Sequence, residues 1–453
     1  MNRLISILFI AVFALGCSEK HPSRPNIIVL LLDTLRADHL TSQGYERNTT
    51  PVLDTFGREN IQFEYALTAA PWTPASVASI LTGLYPISHG MMPPNGREVA
   101  EAQTVKLNPT LTTLAEVFEE RGYMTAGVSS NPWVSKEFGY EQGFRRFEYR
   151  SRVRAEEINK VAFEILDEIN VPGATDDKPA APFFLYLHYL DPHDPYDPPE
   201  GFRDLFPEPL KKYRYQGKMR QYVDRYDGEI RYLDSQVGKL FEYLKEKKLY
   251  ENTVIVIVSD HGEQFMEHGN WTHGFKLHHE ETHVVLMLKT ARRKEPARRV
   301  TETVSTIDIF PTLLDITGTK IPAEYLGRSL LSEEALQARV GVLSEIRRKF
   351  DQKSFTDRDG KRIILGIDFD PKVIDSEVLL KSWDAPRVLA VYDRNKDYFE
   401  REKLQDPSLE KRLHAEFDSL LSEAKQRRVG THVEEQGVSQ ETLEQLKSLG
   451  YMN

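Results

Sequence analysis

A single cysteine, Cys17, occurs in 453 residues, and it stands at the end of the first apolar run. The rest of the chain has no thiol, which excludes a disulfide framework, a zinc-thiolate site and a cysteine nucleophile. Positive charge is also scarce: 59 Lys and Arg face 69 Asp and Glu, a formal net charge of −10. That balance argues against nucleic-acid binding and broad contact with an anionic membrane, while remaining compatible with a local basic pocket for an anion. Internal repeats and low-complexity tracts are absent as well. What is present is a globular composition, 40% apolar and 28% charged, over a length that allows a large core and a smaller companion domain.

The opening MNRLISILFIAVFALGC places one positive charge, Arg3, before its apolar stretch and ends in small residues beside Cys17. This is the pattern of an export signal, too short for a permanent spanning helix. Its ending Ala14-Leu15-Gly16-Cys17 resembles a bacterial lipobox, which implies a lipidated Cys17 and a periplasmic or cell-surface lipoprotein held to the membrane through that lipid alone. Three continuous apolar runs follow, each closing on an aspartate: NIIVLLLD (26–33), FFLYLHYLD (183–191) and TVIVIVSD (253–260). Such runs read as central strands covered on both faces, and in an open α/β sheet ligands bind outside the carboxyl ends of the strands.

Helical spacing between the runs covers 50–60, 109–122, 154–170 and 226–248, with a further helix over 303–318 broken near Pro311. The alternation predicts an α/β fold with a large, mixed, mostly parallel sheet flanked by helices. The predicted organisation is a signal over 1–17, the main domain over 25–330, a small α+β domain over 331–428, and a loose linker with a terminal helix over 429–453.

Three segments carry candidate chemistry. In PWTPASVASILTG (71–83), Thr73 followed by Pro74 fits a helix N-cap and a first-turn proline, which alone would explain the threonine. A hydroxyl at a helix N-terminus also lies where free N–H groups favour an anion. In SDHGEQFMEHGNWTHG (259–274), Asp260 and His261 leave an apolar strand at a tight turn, a donor pair suited to zinc or manganese, with calcium requiring mainly oxygens. Eight of the 13 histidines lie between His188 and His283; His261 and His273 are the stronger candidates, while His278, His279 and His283 read as a solvated loop. In YLDPHDPYDPP (189–199), prolines stiffen a loop presenting Asp191 and His193, either as a surface turn or over a cleft. Asp33, ending the first run, requires a helix N-terminus or a cation, whereas Asp38 reads as local structure. Trp72, Trp133 and Tyr196 are either packing or substrate contacts.

Together these segments resemble the sulfatase branch of the alkaline phosphatase-like superfamily over nearly the whole chain after the signal. PNIIVLLLDTLRADHL is similar to the first metal strand, PWTPASVASILTGLYPISHG to the nucleophile segment and SDHGEQFMEHGNWTHG to the second metal segment. FDQKSFTDRDGKRIILG with VYDRNKDYFE is similar to the small C-terminal domain, and ETLEQLKSLGYM to the tail of a subgroup whose nucleophile segment begins PWT. The resemblance implies an alkaline phosphatase-like fold, Thr73 as nucleophile, and Asp33, Asp260, His261 and Thr73 around one divalent ion, calcium, zinc or manganese. His193 and His273 are implied to act on the leaving group, or with Asp191 to extend the site to a second ion.

Departures from the pattern fall at its centre. Counting back from Leu81-Thr82-Gly83 puts Thr73 where sulfatases carry the Cys or Ser that becomes formylglycine, and Val77 where they carry Arg. The paired acids of the first strand are reduced to Asp33-Thr34, and Ser129-Ser130-Asn131-Pro132 replaces a Gly-Lys-Trp-His signature. Oxidation of threonine would give a ketone, so the usual sulfatase cofactor is closed to it. These features imply hydrolysis of a phosphate mono- or diester, with sulfate ester hydrolysis, phospho-group transfer and a non-catalytic glycan- or anion-binding role as alternatives. The substrate would be a small-molecule, glycan or lipid ester.

Overall fold

The apolar run of the first segment becomes strand β1, Asn26–Leu32, with every residue buried. Its alternate side chains enter two different cores: Ile27, Val29 and Leu31 on one face, Ile28, Leu30 and Leu32 on the other. A strand apolar on both faces must be covered on both, which is why the sequence shows no polar alternation here. The computed structural model describes residues 24–91, 104–169, 181–212, 215, 217–322, 325–347, 351–367, 383–430, 432–434 and 437–449. The expected signal and lipobox, 1–17, lie outside the described residues.

In chain order the strands after β1 are β2 (Ile61–Leu67), β3 (Thr104–Lys106), β4 (Met124–Ser129), β5 (Arg146–Tyr149), β6 (Phe183–Tyr189), β7 (Thr253–Val258), β8 (Gln264–Phe265) and β9 (Trp271–Thr272). There follow β10 (His283–Val284), β11 (Leu286–Lys289), β12 (Arg298–Ser305), β13 (Gly341–Arg347), β14 (Asp351–Asp357), β15 (Lys361–Ile367), β16 (Arg387–Asp393) and β17 (His432–Glu434). A nine-stranded sheet runs β10-β2-β11-β7-β1-β6-β4-β5, with β12 joined to β2. Its centre is parallel: β1 pairs with β6 and β7, and β4 with β6 and β5, while β11 pairs antiparallel with β7 and β2. The carboxyl ends of β1, β6 and β7 therefore open onto one edge.

Helices α1 (Pro51–Glu59) and α2 (Thr73–Thr82) flank the sheet on opposite faces. All ten residues of α2 are buried, and its polar side chains find internal partners: Ser76 Oγ donates to Asp260 O at 2.8 Å and Ser79 Oγ lies 3.0 Å from His89 Nε2. Helices Ala155–Ile169 and Lys218–Glu246 cover the α1 face. The helix expected over 303–318 is divided: Thr303–Ser305 close β12, and the α-helix is Ile309–Ile316. Pro311 lies in its first turn, where the missing N–H removes no helical bond.

Strands β13, β14, β15 and β16 form an antiparallel sheet, against which helix Pro407–Gln426 packs Leu413, Phe417 and Leu421. The segment expected as a loose linker is partly ordered: β17 pairs antiparallel with β3, and Leu446 and Leu449 behind it enter the main core. Three extended residues pair with β3 in a separate two-stranded sheet, and two leucines at helical spacing supply burial, so the tail is pinned to the main core rather than trailing from the small sheet. Among the described residues no helix is long and apolar enough to cross a membrane.

Candidate active site

Two of the three strand-terminal aspartates meet. Asp33 follows β1, Asp260 follows β7, and the turn after each strand is bound to the other: Thr34 N donates to Asp260 Oδ1 at 3.1 Å. Each carboxylate has one oxygen fixed by donors. Asp33 Oδ2 accepts from Asn131 Nδ2 at 2.6 Å and His188 Nε2 at 3.0 Å, and Asp260 Oδ1 also accepts from His261 N at 2.9 Å. The other oxygens, Asp33 Oδ1 and Asp260 Oδ2, are buried with no hydrogen-bond partner.

Burial raises both acids, but their net shifts run in opposite directions. Burial pushes Asp33 up, but the hydrogen bond from His188 and the histidines around it outweigh this and hold its carboxyl below the ordinary range. Asp260 is pushed up, by burial first and by the charge of Asp33 second. Two adjacent buried carboxylates with orphaned oxygens are costly unless a cation takes those oxygens up. Ligand atoms of Asp33, His188 and Asp260 lie within 4.8 Å of one another; His188 Nε2 is committed to Asp33 Oδ2, so the open oxygens of the two carboxylates are the donors left for an ion.

Thr73 enters from the start of α2. The helix begins with Thr73 itself, and Trp72 occupies the N-cap position, a correction to the expected N-cap role. Thr73 Oγ1 lies 3.1 Å from His261 Nε2, which in turn is 3.3 Å from Asp260 Oδ2. His261 Nδ1 donates to Gly262 O at 2.9 Å, so Nε2 carries the lone pair that faces Thr73 and Asp260. The first turn of α2 is anchored by Tyr140, whose hydroxyl donates to Pro74 O at 2.6 Å.

The remaining candidates separate. His273 stacks near His261, ring centroids 4.2 Å apart, and His193 meets His273 edge-on at 5.1 Å, so the two expected leaving-group histidines do share the site. Asp191 does not join the two-aspartate pair: its Oδ2 accepts from Ala155 N at 2.9 Å, at the start of helix Ala155–Ile169, where a carboxylate meets free N–H groups and the positive dipole end. Asp38 is locally engaged as expected, accepting Arg36 Nε and Nη2 at 2.9 and 2.8 Å. Trp72 and Trp133 are buried and pack edge to face at 5.3 Å, a core contact beneath the site.

The expectation of a solvated histidine loop is overturned. His278, His279 and His283 are covered by Tyr398, Phe399 and Glu400 of the C-terminal segment. His278 Nδ1 donates to Glu400 Oε2 at 3.0 Å, and His283 Nε2 donates to Glu64 O at 2.8 Å. Sequence spacing cannot reveal a cover supplied from 115 to 122 residues away.

Three residues beside the site escaped the sequence reading. His188 is one, and its signal was present: a histidine inside a strand whose residues are all buried needs a partner, and register puts it opposite Leu31, two residues from Asp33. Asn131 was noticed only as part of a missing signature, yet it holds Asp33. Glu263, buried, lies with Oε1 3.0 Å from His273 Nδ1; burial, then the charge of Asp194, pushes its carboxyl well above the usual range.

The sulfatase family matches residues 25–319. An arylsulfatase of Clostridium perfringens is 25% identical over 398 residues, covering 68% of this chain and 78% of that protein. A Bacteroides thetaiotaomicron protein from a locus for metabolism of multiple glycosaminoglycans superposes with a TM-score of 0.71 at 20% identity, over 89% of this chain and 97% of its own. The phosphonate monoester hydrolase of Agrobacterium radiobacter does so with a TM-score of 0.65 at 18% identity, over 89% and 96%. With this match spanning the central strands, the α2 segment and the turns after β1 and β7, the chain belongs to the sulfatase family of ester hydrolases.

Proposed function

We propose that the protein cleaves phosphate mono- or diesters with Thr73 as nucleophile, and that it belongs to the subgroup whose nucleophile segment begins PWT. The observation that carries this is the contact of Thr73 Oγ1 with His261 Nε2 at 3.1 Å, beside the orphaned oxygens of Asp33 and Asp260. A threonine cannot yield formylglycine, so its hydroxyl must react as it stands. The structural likeness to a phosphonate monoester hydrolase is in keeping with phosphorus chemistry on this fold.

Asp33 Oδ1, Asp260 Oδ2, His261 Nε2 and Thr73 Oγ1 would hold a divalent ion, with His188 and Asn131 orienting Asp33. When bound, zinc, manganese or calcium supplies Lewis acidity, lowering the pKa of the hydroxyl and offsetting the two carboxylates. Thr73 Oγ1 attacks phosphorus in line, the bond to the leaving oxygen breaks, and His193 or His273 gives that oxygen a proton while the hydroxyl proton passes to solvent water, from which the histidine is reprotonated. Water then attacks the phosphothreonine, breaks the P–Oγ1 bond and restores the Thr73 hydroxyl. Free N–H groups at the start of α2 stabilise charge on the phosphoryl oxygens. An exported, lipid-anchored protein would act on small-molecule, glycan or lipid esters outside the cytoplasm.

Family membership keeps sulfate esters as the competing substrate, so the test must set the two against each other. A panel of aryl sulfate, phosphate monoester, phosphate diester and phosphonate monoester is turned over with metal content measured on the same protein. The expected outcome is phosphate ester preference, with Thr73→Ala slower by roughly 10³-fold or more. Full turnover by Thr73→Ala excludes the nucleophile, and sulfate preference excludes the substrate class.

A further inference from the structure

His273 sits on a turn that regular structure does not support. Strand β9 ends at Thr272, whose φ is +66°, and Gly274 follows His273 with φ +79°. A left-handed threonine is disfavoured and persists only where its surroundings over-determine it. Those surroundings are organised by one fully buried carboxylate, that of Glu281. Its Oε2 accepts from Gly274 N at 2.6 Å and Phe275 N at 3.2 Å, and its Oε1 accepts from Lys276 N at 3.1 Å and from the Gln264 side-chain amide. Three successive backbone N–H groups directly after His273 thus close on a single side chain.

The same residue reaches the other histidine loop. Glu281 O accepts from Gly262 N at 2.9 Å, one residue beyond His261. The approach is close enough that a Cβ on residue 262 would lie 2.0 Å from Glu280 O, so the turn carrying Asp260 and His261 is seated directly on the backbone of 280 and 281. One glutamate therefore spans the turn that presents His261 and the turn that presents His273, whose rings stand 4.2 Å apart.

We infer that Glu281 is a positioning residue for the reaction: it sets the placement of His273 relative to His261 and Thr73, and acts through His273 rather than on substrate. This rests on the reading of His273 as a group acting on the leaving oxygen. A misplacement of about 1 Å in a reacting group can cost on the order of 10²-fold in rate. Glu281→Gln keeps the shape but turns an NH2 toward backbone donors that need an acceptor.

The full chain with metal bound is assayed on bis(4-nitrophenyl) phosphate. Glu281→Gln is expected to lower kcat by about 10- to 100-fold, with KM held within about twofold, and to speed hydrogen exchange at the amides of Gly274, Phe275 and Lys276. On a His273→Ala background the same substitution is expected to cause no further loss. Gln264→Ala, which removes one partner and leaves the carboxylate, is a milder second variant expected to lower kcat about threefold. A folded Glu281→Gln protein with normal kcat beside a crippled His273→Ala protein overturns the inference alone, as does a double variant whose losses multiply. A fully active His273→Ala protein overturns the reading of His273 and the inference with it.

Discussion

Two clusters of histidine and acid take histidines from one stretch of the chain, His261 to His279, and behave differently. In one, Asp33 and Asp260 face His261 and Thr73, each with a buried oxygen left unpaired. In the other, Glu400 accepts at Oε1 from Arg362 Nη1 at 2.9 Å and at Oε2 from His278 Nδ1 at 3.0 Å and His279 N at 3.2 Å. Arg362 also donates to Thr282 Oγ1 and Ser354 Oγ, tying the small sheet to the segment between β9 and β10. The second cluster carries its own cation. The first has carboxylate oxygens without hydrogen bonds that an added cation would satisfy, and that difference in built-in charge, not histidine density, separates the two.

The largest test of the contrast is to break the built-in pair. Arg362→Met leaves Glu400 buried without its guanidinium and is expected to destabilise the fold by about 3–5 kcal/mol in urea unfolding, with metal stoichiometry per folded chain unchanged. Loss of metal at equal folding would mean that the two clusters are not independent.

Acid should expose the same asymmetry. Burial pushes Glu400 up, but Arg362 and His278 outweigh it and bring its carboxyl down to about 2. A depressed acid contributes stability above its unfolded value of about 4.5, and that contribution is lost as pH falls toward 2, about 3 kcal/mol in all. Unfolding free energy followed across this window should fall less steeply in Glu400→Gln than in the natural chain; equal slopes would remove Glu400 as the acid-sensitive joint. The smallest effect belongs to the first cluster's support. Asn131→Ala removes the donor to Asp33 Oδ2 and is expected to weaken zinc or manganese binding by about 10- to 100-fold, read by competition with a chelating dye. Unchanged affinity would leave Asn131 a packing residue.

Much of this architecture was legible in the chain. The runs ending at Asp33 and Asp260 declare doubly covered strands, and their parallel pairing to one side of the sheet brings the two acids together. Thr73, His193, His261 and His273 also come to one place. Asp191 was misleading because an aspartate after a strand can as readily serve a helix start, and only the seat of helix Ala155–Ile169 decides which. His278, His279 and His283 looked solvated because the segment that buries them, around Tyr398 to Glu400, is remote in the chain.

The sequence by itself determined which residues are apolar enough to form the central strands, where a threonine replaces an oxidisable residue, and that no thiol chemistry is available after Cys17. Those are local facts of side-chain chemistry and period. Tertiary structure alone decided which carboxylate oxygens are left without donors, which histidines find them, and that Glu281 joins two loops. Hydrogen-bond satisfaction is a sum over groups brought together from distant parts of the chain, and no local pattern contains it.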